Sequence, residues 1–224
     1  MDELAHGTRD KRGHWRPNAA LQTGPLLDWP WSLRRVLAWL PGYLAPYNLA
    51  FFALGALVWY GLTPSRSTLE TLAWDWTLWI LARNALIVLV IFGGFELHLY
   101  IRRRQGNRFK YNPAFPDDKP SKVFLFGRQS LDNALRTFGT GVPIWSAYEI
   151  AILHAWANGW GPWTTLGDNP VWLAAFTLLI PLIHELHFYC IHRLTHLPVL
   201  YRYLHSVPPT SVTPSPWPSL PTPP

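Results

Sequence analysis

The sequence predicts an all-α integral membrane protein: a bundle of about four transmembrane helices with an amphipathic interfacial helix and a disordered proline-rich C-terminal tail. Three observations carry that prediction. Only 14 % of the residues are charged, against about 25 % in ordinary soluble domains. Aromatic residues make up 15 %, with 14 Trp, and Trp concentrates where chains cross the membrane–water boundary. Long apolar runs alternate with basic loops, and the mean hydropathy of +0.04 stays modest because polar ends dilute them.

Three regions follow along the 224 residues: a polar arm and interfacial helix over 1–40, a membrane domain over 41–205, and a proline-rich tail over 206–224. Met1–Leu27 is polar and mixed in charge, which predicts a flexible cytosolic arm with His6 and His14 solvated, and no secretory signal is visible in it. Leu26–Leu40 mixes Trp29, Trp31, Trp39 and leucines with Arg34 and Arg35, the pattern of a helix lying in the interface.

Tyr43–Leu62 is the first apolar stretch of spanning length, ended by Gly61 and Pro64. Leu72–Ile101 is the second, with Trp74, Trp76 and Trp79 at its start. Arg83 lies about one turn beyond that cluster, and its long stem lets the guanidinium snorkel to the interface; a buried functional charge is the other reading. Glu96 and His98, beside Arg102, Arg103 and Arg104, are expected at the opposite interface. Phe138–Trp156 and Pro170–His187 are the third and fourth stretches, and Pro181 is expected to kink the last.

Loop charge sets the predicted orientation. Six Lys or Arg precede Tyr43, one (Arg66) lies in the first connection, nine lie between Arg102 and Arg136, none lies in the third connection, and Arg193 and Arg202 follow the last. Both termini and the histidine cluster are therefore expected on the cytoplasmic side. The net charge of +6 is accounted for by topology, and nucleic acid is not required as a partner. Cys190 is the only cysteine, which excludes an intramolecular disulfide and a cysteine-based metal site.

The chemistry of the chain gathers at LLIPLIHELHFYCIHRLTHLPVLYRYLH (Leu178–His205). On a helix turning about 100° per residue, His192 and His196 stand one turn apart, and Glu185 falls within about 20° of the His192 face. Two imidazoles at i,i+4 can hold one metal ion between them. Histidine, arginine and tyrosine also suit a membrane boundary, but ionisable groups next to a span are costly and commonly functional. His187 faces about 140° away from His192 and is not expected to be a ligand.

The run ELHFYCIHRLTH (Glu185–His196), followed by LYRYLH (Leu200–His205), resembles the membrane-bound fatty acid hydroxylase and sterol desaturase superfamily. The similarity extends upstream through FLFG (Phe124–Gly127), Asp132-Asn133, GVPIW (Gly141–Trp145) and Tyr148-Glu149. The resemblance implies a four-span oxidoreductase of lipid metabolism with a non-haem di-iron centre, a fatty-acyl or sterol-like substrate in the surrounding membrane lipid, and an external electron donor. It also implies that His192 and His196 form the first histidine box, that His205 opens the second, and that Glu185 stands where the family often has an acid near iron.

The second box then departs from the pattern. Where H-x-x-H-H is expected the chain reads HSVPP, with Pro208 and Pro209 in place of two histidines, and proline has no side-chain donor. The chain as written ends before a third box, and 206–224 is expected to be extended and solvated. These residues predict room for one metal ion rather than two, and an enzyme incomplete in this form. The alternative is a four-span protein without a metal, acting by lipid or partner binding.

Overall fold

The computed structural model describes residues 3–19, 24–26, 28–118, 120–161, 167–201, 213 and 215–217. The chain is mostly helical and divides into two compact units: residues 1–64 with 107–113, and residues 65–106 with 114–224.

The first unit opens with a small antiparallel hairpin, β1 (Gly7–Arg9) against β2 (Trp15–Pro17), with Thr8 opposite Arg16. The expected flexible arm is therefore ordered over this stretch, and its turn explains why. Asp10 Oδ1 accepts the backbone N–H groups of Arg12 at 2.8 Å and His14 at 3.0 Å, and Gly13 supplies the positive φ of +81° that closes the turn. Gly7 has no room for a side chain, since a Cβ there would come within 2.5 Å of the Trp15 ring. The Arg9 guanidinium ties the hairpin to a distant loop, donating to the carbonyls of Gly13 at 2.6 Å, Asn107 at 2.5 Å and Lys110 at 3.3 Å. His14, expected to be solvated, stacks on Tyr111 with ring centroids 4.8 Å apart.

Two helices complete this unit, α1 (Leu33–Tyr43) and α2 (Leu49–Leu62). Ala45 between them is extended, at φ −111° and ψ 144°. The cause is local: the ring of Pro46 disfavours the helical region for the residue before it. The first apolar stretch, Leu33–Leu62 with mean hydropathy 1.3, is therefore kinked near its middle, and the expected span Tyr43–Leu62 is regular helix only from Leu49 onward.

In the second unit a short turn of helix, α3 (Arg66–Leu69), precedes α4 (Trp74–Phe95), which continues through π-helical turns over Glu96–Ile101. Trp74–Ile101 is the second stretch long and apolar enough to cross a membrane, with mean hydropathy 2.0. Another long helical run joins α5 (Gln129–Arg136), a π-helical segment over Thr137–Gly141, and α6 (Val142–Ala157). Then come α7 (Pro170–Thr195) and the single turn α8 (Pro198–Leu200).

The core lies between α4 and α6. Trp76, Ile80, Arg83, Asn84 and Val88 are the buried positions of α4, spaced as one helical face. Val142, Ser146, Leu153 and Ala157 form the matching stripe on α6. Leu69, Trp76, Ile80, Leu153 and Ala157 make one apolar cluster. Hydrogen bonds fasten the end of α6 beside it, from Arg66 Nε to Ala157 O at 3.3 Å and from Asn158 Nδ2 to Glu70 O at 3.1 Å.

A second cluster, at the other end of the pair, joins Val88 and Val142 to Trp217, which also meets Phe92 and Phe138. This corrects the expected solvated tail. Among its described residues, Thr213, Ser215 and Trp217 are buried, and Gln129 Nε2 donates to Thr213 O at 2.6 Å. A large indole removed from water outweighs the extended habit of the prolines around it.

No described residue of α7 is buried. At 1.5 Å per residue its 26 residues reach about 39 Å. α7 runs unbroken through Pro181, whose expected kink does not interrupt the helix.

Candidate functional site

The last turns of α7 place the predicted histidine pair. His192 Nε2 and His196 Nε2 stand 3.2 Å apart, with ring centroids separated by 4.9 Å. Two nitrogens bound to one metal at about 2.1 Å lie about 3.0–3.4 Å apart, for angles between about 90° and 109°. The two rings are thus at hydrogen-bonding distance, with the donor set by the tautomer, and the same separation falls within that nitrogen–nitrogen range. Aromatic neighbours flank them along the same face: Phe188 stacks against His192 at 5.4 Å, and Tyr201 lies 5.9 Å from His196.

Glu185 does not join them. Its carboxylate lies 3.6 Å from His184 Nδ1, with both side chains open to the surroundings. Among the described residues no group of three or more His, Cys, Asp or Glu side chains is placed to hold a metal. His205 lies outside the described residues. The donors described here, one imidazole pair, are fewer than the nitrogen and carboxylate ligands that a di-iron centre needs.

The main polar feature inside the fold is one the sequence placed elsewhere. Arg83, expected to snorkel outward, is only 3 % exposed. Its Nη2 donates to Glu149 Oε1 at 2.5 Å, and Nη2 and Nε reach Asn84 Oδ1 at 2.9 and 3.2 Å. Asn84 Nδ2 then donates to Glu149 Oε2 at 2.7 Å and meets Ser146 Oγ at 3.1 Å. A charge enters an apolar helix pair because its partners on both helices satisfy it. The signal was present in the spacing, since Arg83 falls on the same face as Trp76, Ile80 and Val88.

Glu96, expected near the membrane interface, is enclosed by the rest of the chain and only 4 % exposed. Asp132, within the stretch that carried the family resemblance, accepts Arg136 Nε at 3.1 Å and the Leu125 N–H at 3.3 Å, tying α5 to the turn before it. Comparison with protein-family models, with curated proteins and with solved structures finds no match to this chain.

Proposed function

We propose that this chain is an integral membrane protein of the histidine-box lipid-oxidoreductase type, whose His192–His196 pair holds one transition-metal ion at the cytoplasmic edge of the bilayer. Four spans suit this reading: the kinked stretch ending at Leu62, Trp74–Ile101, the run through α6, and α7. The length of α7 exceeds the hydrocarbon thickness of about 30 Å. The loop charges support a cytoplasmic location for both termini and the histidine cluster.

The observation that carries the proposal is the 3.2 Å separation of the two Nε2 atoms. In the superfamily that the sequence resembles, iron activates O₂ to hydroxylate or desaturate a fatty-acyl or sterol-like chain, with electrons from an external donor. Here Pro208 and Pro209 replace two box histidines and Glu185 is turned to His184, so the reading is metal binding without lipid turnover.

The test is metal content of protein purified into lipid nanodiscs and loaded anaerobically with Fe²⁺. One equivalent per chain is expected, lost in the His192→Ala/His196→Ala variant, with no oxidised lipid formed on adding O₂ and a reductant. Two equivalents with a hydroxylated or desaturated product would overturn the reading in favour of an intact enzyme. Iron binding unchanged in the double variant would overturn the assignment of the site to the histidine pair, and no bound iron in the parent chain would favour the metal-free alternative, a four-span protein that binds lipid or a partner. The uncovered apolar surface of α7 suits that alternative as well.

A further inference from the structure

For a helix in water, α5 is built inside out. Its buried residues, Gln129, Asp132 and Asn133, are all polar, while Leu131 and Leu135 are exposed. The two leucines stand one turn apart, about 40° round the helix, and so share a face. The inner face is satisfied by specific bonds, Gln129 Nε2 reaching Thr213 O at 2.6 Å and Asp132 accepting Arg136 Nε at 3.1 Å. Polar groups turned inward and leucines turned outward match an apolar neighbour rather than water.

The turn before α5 repeats the pattern. Within KVFLFGR (Lys122–Arg128) Val123 is exposed, and Phe126 is 78 % exposed with φ at +57°. A bulky side chain in the left-handed region is strained, and backbone bonds hold it there. Ser121 N donates to Gly127 O at 3.1 Å, Gly127 N to Phe124 O at 2.9 Å, and Leu125 N to Asp132 Oδ1 at 3.3 Å. Val123 and Phe126 are therefore presented by a closed turn that is tied to α5.

The surroundings of this apolar patch are basic. Lys122 and Arg128 bracket the turn and are exposed, and Arg128 meets Asp117 only at 3.9 Å. The connection from Arg102 to Arg136 holds nine Lys or Arg against three Asp. Apolar side chains framed by cations suit an anionic bilayer surface, which offers acyl chains and phosphates side by side. The length of the helical run agrees. The five π-helical residues over Thr137–Gly141 and the sixteen of α6 reach about 31 Å together. A hydrocarbon core is about 30 Å thick, which leaves α5 at headgroup depth. We propose that Val123, Phe126, Leu131 and Leu135, with Lys122 and Arg128, form an interfacial anchor that binds anionic phospholipid of the cytoplasmic leaflet. The proposal rests on α4 and α6 being spans and is independent of the histidine pair.

The experiment places an environment-sensitive fluorophore on Phe126→Cys, Leu131→Cys or Leu89→Cys of the full chain, each in a Cys190→Ser background. The labelled chains are reconstituted in phosphatidylcholine vesicles with or without phosphatidylglycerol, with a nitroxide either high on the acyl chain or near its end. Leu89, exposed on α4 within the second apolar stretch, reports whether the chain inserts at all. Labels at 126 and 131 are expected to be quenched most by the shallow nitroxide, about twofold more with phosphatidylglycerol present. Lys122→Gln/Arg128→Gln should remove that gain and leave the Leu89 signal as it was. Should Phe126→Cys disturb its turn, Leu131→Cys decides. Deep quenching at 89 with none at 126 or 131 overturns the proposal, as does shielding from aqueous iodide without nitroxide quenching, the mark of a protein cover. Quenching indifferent to phosphatidylglycerol overturns the choice of anionic lipid. An unquenched label at 89 would sink the membrane reading itself and the anchor with it.

Discussion

Arg83 on α4 and Glu149 on α6 form an ion pair at 2.5 Å, one member of which is almost wholly enclosed. The pair bridges the two helices that make the core, and Asn84 and Ser146 complete its hydrogen bonding. Enclosed charges are held in this way because losing either partner strands the other in a low-dielectric interior.

Glu149→Gln is accordingly expected to destabilise the helix pair by about 3 kcal/mol, and Arg83→Met by a similar amount. The combination Arg83→Met/Glu149→Leu should recover most of that loss, because no charge is then left alone. Thermal unfolding of the three variants in one detergent checks this. Additive losses in the double variant would show that the pair is not coupled.

Trp217→Ala removes an indole wedged among Val88, Val142, Phe92 and Phe138. The expected loss is about 3 kcal/mol. Limited proteolysis should then cut the tail faster than in the parent chain. Trp217→Phe, which keeps an aromatic ring in the site, should retain much of the protection.

Asp10 supplies a pH prediction. The backbone N–H of His14, then that of Arg12, together with the His14 side chain, hold its carboxyl below the usual carboxylate range. A depressed folded-state value means that the contribution of Asp10 is complete above the ordinary aspartate range and disappears as the pH falls through the lower, folded-state value. Carbon-detected NMR should show Asp10 titrating below a free aspartate, and Asp10→Asn should remove the acid-dependent opening of the 10–14 turn. A free-aspartate titration would contradict the turn described here.

Orientation can be read with an impermeant maleimide in a Cys190→Ser background. Single cysteines at Gln105 and Leu197 are expected to react from the same, cytoplasmic face of sealed vesicles. Labelling from opposite faces would remove the topological basis of the metal proposal.

The helical class was legible because apolar runs of spanning length leave few other options. So was the i,i+4 relationship of His192 and His196, since helix geometry alone brings such rings together. Arg83 was misplaced for a physical reason: its nearness to three tryptophans suggested the interface, and its partner lies 66 residues away, beyond the reach of local pattern. Trp217 was hidden by composition, since the prolines around it describe the backbone habit while the burial depends on a pocket made by α4 and α6. The kink at Ala45 was readable from Pro46 and the ordered arm from Asp10 and Gly13, but the apolar character of the first segment and the polar character of the second outweighed a single-residue signal.

The bareness of α7 has a practical meaning for anyone handling this protein. A helix of 26 residues with none of its described side chains enclosed by the rest of the chain borrows its solvent shield from outside. Under the proposed membrane reading, acyl chains, detergent or a neighbouring protein would cover that surface, and the histidine pair would sit at the end of that borrowed support. Stripping the lipid during purification would loosen the helix before any chemistry at its tip could be measured, so the choice of amphiphile is itself a variable of the metal-binding experiment.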